Sequence, residues 1–273
     1  MKHAHTYIIN GHFNQVISPL DRGIAYGDGV FRTLKMVRGL PEHWPMHYQK
    51  LVADCAAIGI VCPSAELFIN DFLQIFTPDE IAVAKIIVTR GEGERGYALP
   101  AITMPMRVVI KSNLPHYAEA CYIEGVRLYL CETKLAHQPK LAGIKHLNRL
   151  ENVMARLEWR DDTIFDGLML DQQDNVIECT MSNIFARFDD QLVTPNLSQC
   201  GVAGVTRQNI MGMIRSLGLT LEVTHLSLNR LIQADEVIIC NSLYGAFQVT
   251  SVVNKTWSPQ ALSSTIRKTL SHD

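Results

Sequence analysis

The sequence predicts a mixed α/β protein in two lobes, divided near residue 115. Three observations lead there. Short apolar, β-branched runs alternate with segments whose apolar residues recur three and four apart, so strands and helices are interspersed. The run Ser112-Asn113-Leu114-Pro115-His116 is short, polar and proline-bearing, as a linker between lobes would be. At 273 residues the chain is long enough for two cores. The expected division is a small N-terminal lobe, residues 1–114, and a larger one, 115–273, that carries Lys145.

In the first lobe, Thr6 to Val16 predicts a hairpin around Asn10-Gly11, because Asn-Gly supplies the positive φ angles of a two-residue turn. Asp21-Arg22-Gly23 and Gly27-Asp28-Gly29 form a glycine-rich passage into Val30-Phe31-Arg32-Thr33-Leu34. A helix follows, with Tyr48, Leu51, Cys55 and Ile58 on one face and Gly59 as its stop. Residues 65–76 predict a second helix and Ile81 to Thr89 a buried strand. Arg90 to Pro100 is a polar loop, and Met104 to Ile110 a further strand.

In the second lobe, strands are expected at Gly125 to Cys131, Gly167 to Leu170, Ile184 to Phe188 and Val237 to Cys240. A helix after Lys145 carries the stripe Leu147, Leu150, Met154, Leu157. Another starts near Val205, with Ile210, Met213, Ile214 and Leu217 inward and Gly218 as its stop, and a last one begins near Pro259.

Composition narrows the function. Hydrophobic residues make up 47% and charged ones 19%, the balance of an ordinary globule, and the net charge of −2 creates no field that would draw nucleic acid or a membrane surface. No apolar run approaches a membrane span, and Met1-Lys2-His3-Ala4-His5-Thr6 lacks the apolar core of a signal peptide. The seven cysteines are scattered and odd in number, without a Cys-x-x-Cys pair, which points to reduced thiols in the cytoplasm and to no metal site.

Three segments are candidates for chemistry. Gly201-Val202-Ala203-Gly204-Val205-Thr206-Arg207 is a glycine turn opening into a helix, which is either a phosphate cradle or a flexible helix entry. Lys145, in Leu141-Ala142-Gly143-Ile144-Lys145-His146-Leu147-Asn148-Arg149, is either a desolvated nucleophile or a surface lysine. Glu178, in Val176-Ile177-Glu178-Cys179-Thr180-Met181-Ser182-Asn183, is either a buried carboxylate or a turn residue. No nucleotide-type glycine motif follows a strand.

Taken in order, Lys145, Glu178, Ser182-Asn183 and Gly204-Val205-Thr206 resemble the fold-type IV pyridoxal-phosphate enzymes, the group of branched-chain and D-amino-acid aminotransferases. Within it, the lysine segment through Glu151, Arg95-Gly96-Tyr97, and Ala234-Asp235-Glu236-Val237-Ile238-Ile239-Cys240-Asn241 look like the branch that cleaves 4-amino-4-deoxychorismate. The opening Ile9-Asn10-Gly11 and Tyr26-Gly27-Asp28-Gly29-Val30-Phe31 fit as well.

This resemblance implies a small α/β domain, a larger pseudo-barrel domain, a cytoplasmic homodimer and the cofactor pyridoxal 5′-phosphate. It implies that Lys145 binds the cofactor covalently and moves protons, Glu178 holds the ring nitrogen, and Lys50, Val205, Thr206 and Ser242 face the phosphate. Thr33 would contact the leaving side, and Arg95 and Asn241 the substrate. The reaction implied is conversion of 4-amino-4-deoxychorismate to p-aminobenzoate and pyruvate, a step of folate biosynthesis. The alternatives are an amino-acid aminotransferase and a catalytically silent cofactor-binding relative. One position departs from the group, which usually has His-x-x-Arg-Leu where this chain has His47-Tyr48-Gln49-Lys50-Leu51. A lysine offers a point charge in place of a two-pronged fork.

Overall fold

The computed structural model describes residues 6–271. The expectation for the N-terminal residues thus lies outside the described residues, apart from Thr6. The chain forms two compact units: the described residues as far as Pro115 with Ile144–Asn148, and His116–Gly143 with the chain from Arg149 onward.

The first unit contains β1 (Thr6–Ile9), α1 (Arg22–Tyr26), β2 (Gly29–Val37), β3 (Leu40–Pro41), α2 (Trp44–Ala57), α3 (Ala65–Ile75), β4 (Ile81–Thr89) and β5 (Met106–Asn113). Its strands pair antiparallel in the order β1-β5-β4-β2-β3. The Asn10-Gly11 turn forms as expected: both φ angles are positive, and Ile9 and His12 exchange backbone hydrogen bonds of 3.1 and 2.9 Å. The hairpin stops there, because β1 takes β5 as its ladder partner.

Sequence alone places Lys145 in the second lobe; the structure packs its segment with the first unit. The Phe31 N–H donates to the Lys145 carbonyl (2.9 Å) and the Leu147 N–H to the Gly29 carbonyl (3.0 Å), so residues 145–147 lie along the start of β2. Glycine permits this approach. A Cβ on Gly27 would stand 2.1 Å from Asn148 Oδ1, and one on Gly29 would stand 2.5 Å from the Val88 carbonyl and 2.8 Å from Leu147.

Along β2, Val30, Arg32, Leu34 and Met36 are buried, and Phe31, Thr33 and Lys35 are on the opposite face. The buried row packs in a core with Leu51 and Cys55 of α2 and Phe68 and Phe72 of α3. Arg32 interrupts this row with a charge, and Asp54 from α2 neutralises it through a buried ion pair. His47, one turn before Lys50, is also buried, and its Nδ1 has no hydrogen-bond partner among the described residues.

Burial first, then the charge of Arg32 and of His43, push the His47 pKa from 6.5 down to about 3. The unfolded chain therefore takes up a proton below pH 6.5 that the fold refuses until about pH 3, so this stability is present above 6.5 and lost as pH falls. Between pH 7 and about pH 5 the loss through His47 should be about 2 kcal/mol. Urea unfolding at the two pH values checks this: His47→Gln should lose that much less than wild type over the interval.

The second unit contains α4 (Glu119–Ile123), β6 (Val126–Leu130), α5 (Leu150–Arg156), β7 (Ile164–Leu170), β8 (Asn175–Cys179), β9 (Asn183–Phe188), β10 (Gln191–Pro195) and α6 (Val205–Met213). A 3₁₀ turn (Ile214–Leu217) continues α6 to Gly218. Then come β11 (Thr220–Thr224), β12 (Leu226–Ser227), α7 (Leu228–Leu231), β13 (Glu236–Asn241), β14 (Gly245–Val252), β15 (Lys255–Thr256) and α8 (Leu262–Leu270). The pseudo-barrel expected here is a ten-stranded mixed sheet in the order β11-β10-β9-β13-β14-β6-β7-β8-β12, with β15 on β14. One core lies among Leu168, Ile184, Val237, Ile239 and Phe247, and a second joins Phe185 and Ile238 to Ile210 of α6 and Ile266 of α8.

The stripe expected after Lys145 is not buried. Helix α5 begins only at Leu150 and buries Ala155, leaving Leu150 and Leu157 71% and 69% exposed. No helix among the described residues is long and apolar enough to cross a membrane.

Candidate active site

In the first unit the candidate groups gather on and around β2. Thr33 shares a sheet face with Phe31, and the Lys145 ammonium lies over the Phe31 ring, 4.7 Å from its centroid. Both backbone ends of Lys145 are held. Its N–H donates to Asp54 Oδ2 (3.3 Å), and its carbonyl accepts from Phe31. Asp54 also pairs with Lys50, four residues earlier on α2, and with Arg32. One buried carboxylate thereby ties a helix, a strand and the lysine segment together. Burial lowers the Lys50 pKa against the opposing pull of Asp54, with Arg32 adding to the depression. Sequence reasoning passed over Asp54, although its i,i+4 spacing from Lys50 was a signal. Arg95 is exposed, on a loop outside any helix or strand.

In the second unit Glu178 is buried on β8, and its Oε2 accepts the Val202 N–H at 2.7 Å. Asn183 brackets the same turn, donating to the Val202 carbonyl (2.8 Å) and accepting from the Gly204 N–H (3.1 Å). A Cβ on Gly204 would fall 2.3 Å from Asn183 Oδ1, so only glycine lets that clamp close. Helix α6 starts immediately afterwards with no side chain capping it, and Thr206 in its first turn shares a 3.3 Å hydroxyl contact with Ser242. Val205, Thr206 and Ser242 are thus brought to the turn that Glu178 supports.

Asn241 is not presented the same way. Its Oδ1 accepts the N–H groups of Leu243 and Tyr244 (2.9 and 3.2 Å), and its amide donates to the Met181 carbonyl, so it shapes the turn that carries Ser242.

Behind this turn is a network the sequence did not reveal. Asp166, fully buried, accepts from Ser182 Oγ (2.6 Å), Thr180 Oγ1 (2.5 Å) and the Gly167 N–H (2.8 Å), and Ser182 meets the Tyr244 hydroxyl at 2.5 Å. Burial raises the Asp166 pKa against these hydrogen bonds. His137, Asp171 and Cys200 bring potential metal-ligand atoms within 4.8 Å of one another. The Asp171 carboxylate already accepts from Gln173, Asn175 and His137, however, and pins the β7–β8 turn, while burial pushes the Cys200 thiol up to about 12.

Taken unit by unit, these groups are of the kinds that hold pyridoxal 5′-phosphate: in the first an amine stands over an aromatic ring, and in the second a buried carboxylate is fixed by a backbone N–H and an uncapped helix start with two hydroxyls offers donors to a phosphate.

The model of the family "Amino-transferase class IV" matches residues 29–252. An aminodeoxychorismate lyase of Vibrio harveyi is 37% identical over 232 residues, covering 85% of this chain and 86% of the relative. The crystal structure of 4-amino-4-deoxychorismate lyase from Pseudomonas aeruginosa superposes with a TM-score of 0.92 at 39% identity, covering 98% of both chains. A branched-chain aminotransferase from Thermoproteus uzoniensis shares the fold, with a TM-score of 0.85 at 18% identity over 98% of this chain and 93% of its own. With the family model spanning most of its length, this chain belongs to the class IV aminotransferase family.

Proposed function

We propose that this protein is a lyase that converts 4-amino-4-deoxychorismate to p-aminobenzoate and pyruvate, using pyridoxal 5′-phosphate. The observation that carries the reading is the 37–39% identity to lyases of that name across nearly the whole chain, against 18% to the branched-chain aminotransferase. The groups described above supply the chemistry this reaction needs.

Lys145 would hold the cofactor, and its Nζ would take the proton from the amine-bearing carbon of the substrate. When bound, pyridoxal 5′-phosphate supplies the electron sink that makes this carbon acid strong enough to lose its proton. Glu178 would hold the proton on the pyridine nitrogen by a charge-assisted hydrogen bond. The Val202 N–H keeps that carboxylate fixed. Thr206, Ser242 and the first N–H groups of α6 would hold the phosphate, with Lys50 as its point charge. Cleavage of the carbon–oxygen bond on the neighbouring carbon releases enolpyruvate, which takes up a proton to become pyruvate, and leaves an aromatic ring, which drives the step. Thr33 would contact the leaving side, and Arg95 a substrate carboxylate.

The chain works as a cytoplasmic homodimer on this reading. The exposed Leu150 of α5 and Leu157 just past it supply apolar surface for a second copy.

The test follows the electrons. A lyase returns its cofactor unchanged after each cycle, so turnover should continue with no keto acid and yield one pyruvate per p-aminobenzoate. A burst that stops at one product per site and restarts with 2-oxoglutarate would make the protein an aminotransferase. No product at all with cofactor bound would make it a silent relative. Glu178→Gln keeps shape but loses the charge that favours a protonated ring nitrogen. Turnover should fall at least about tenfold, roughly 1.4 kcal/mol of barrier, with the visible band of the bound cofactor retained. Unchanged turnover would remove Glu178 from this role.

A further inference from the structure

The loop from Glu94 to Pro105 contains no helix or strand, yet its centre is gripped from beneath by one buried side chain. Arg22, 4% exposed, donates from Nη1 to the carbonyls of Gly96 (3.1 Å) and Ala98 (3.3 Å), and from Nη2 to that of Tyr97 (3.3 Å). Three successive carbonyls thus turn inward onto a single guanidinium. The side chains of Arg95 and Tyr97 on the same stretch are exposed, Tyr97 to 84%. Tyr26 adds a fourth tie: its hydroxyl oxygen accepts the Gly96 N–H (3.0 Å), and its ring lies 5.4 Å from that of Tyr97. Gly96 itself has a φ of +105°, which a residue with a side chain would adopt only under strain.

Arg22 is in turn anchored. Its Nε donates to Asp28 Oδ2 (2.9 Å), and Arg90 grips both oxygens of the same carboxylate, from Nε to Oδ2 (2.7 Å) and from Nη2 to Oδ1 (2.9 Å). Arg90 also donates to the carbonyls of Ile58 and Gly59 just past α2. The backbone of Arg22 is fixed as well, with its N–H on the Gly91 carbonyl (2.9 Å) and the Asp21 side chain capping α1 (2.8 Å). A rigid chain of contacts therefore runs from the end of α2 through Arg90, Asp28 and Arg22 to the loop. Nothing in it touches solvent-facing chemistry directly; what it fixes is the backbone that carries Arg95.

We infer that Arg22 is a positioning residue that sets the conformation of residues 96–98 and thereby presents Arg95 to the substrate carboxylate. The second half rests on the role given to Arg95 under the proposed function; the first half does not. Arg22→Lys keeps a cation against Asp28 but cannot fork to three carbonyls. Cleavage of the native holoenzyme at Arg95–Gly96 by an arginine-specific protease should then quicken at least about tenfold, since such cleavage follows the population of the open loop. KM for 4-amino-4-deoxychorismate should rise about tenfold with kcat within about threefold, the mark of lost substrate binding without damaged chemistry. Tyr26→Phe, which removes one tie and leaves the ion pairs intact, should quicken cleavage about threefold and decides the matter if Arg22→Lys does not fold. In an Arg95→Gln background, Arg22→Lys should add no further KM cost, because both changes act on one contact.

Cleavage at the wild-type rate in both folded variants would overturn the inference. A KM cost of Arg22→Lys that adds in full to that of Arg95→Gln would overturn its second half. Faster cleavage with KM unmoved by Arg95→Gln would uphold Arg22 as the loop anchor and remove Arg95 from substrate binding.

Discussion

Lys145→Ala should abolish turnover, lowering it at least about a thousandfold, or roughly 4 kcal/mol of barrier, while the protein still folds. The expectation rests on where the amine is. It stands over the Phe31 ring, and its backbone is tied at both ends, to Asp54 and to Phe31. A backbone fixed at both ends limits where the amine can reach. The variant should also lose the visible band of lysine-bound cofactor. In wild type, borohydride reduction followed by digestion should place the cofactor on the peptide bearing Lys145. Lys85 provides the control, since its ammonium lies 5.1 Å from the same Phe31 ring on an exposed strand position. Lys85→Ala should keep both the band and the reducible adduct. A reduced adduct on Lys85, or on any lysine other than 145, would sink the assignment.

How far the sequence alone carries is uneven, and the unevenness has physical causes. Helix α6 was legible because Ile210, Met213 and Ile214 all face inward and Gly218, at φ +73°, stops the 3₁₀ turn that extends it. β4 was legible because Ile81–Thr89 is apolar apart from Lys85 and Thr89 and mostly buried in mid-sheet. β10 and β14 were not, since Gln191–Pro195 ends in a residue that discourages a strand reading and Gly245–Val252 opens on glycine and carries polar Gln248, Thr250 and Ser251. The exposed stripe of α5 misled because periodicity shows that a face is apolar but not what covers it.

Site chemistry divides the same way. Lys145, Glu178 and the Gly204 turn were singled out through their order along the chain, which resembles a family. Asp54, Arg22 and Asp166 lie outside those motifs. Apart from the i,i+4 pair of Asp54 with Lys50, each acts through contacts between residues distant in sequence, such as Arg32 with Asp54 or Arg22 with the carbonyls of Gly96–Ala98.

Asp54→Ala should destabilise the first unit by about 3–5 kcal/mol, because it leaves a guanidinium buried without its carboxylate. Arg32 is 3% exposed in an otherwise apolar row, and its Nε already lacks a hydrogen-bond partner. Burial lowers its pKa, and the Asp54 charge is the largest force that opposes this. Removing Asp54 therefore deletes the main compensation for a desolvated charge and leaves the cost of desolvation in place. The double substitution Arg32→Leu with Asp54→Leu removes charge and countercharge together and should recover stability to within about 1 kcal/mol of wild type. Urea unfolding of the three proteins separates the cases. A loss below about 1 kcal/mol for Asp54→Ala would mean that the ion pair contributes little beyond its own desolvation. The double variant carries a further consequence, since Asp54 also accepts the Lys145 N–H and pairs with Lys50. Its stability should return while its affinity for pyridoxal 5′-phosphate stays reduced, measured by the visible band on titration. Recovery of both together would mean that Asp54 serves the fold alone.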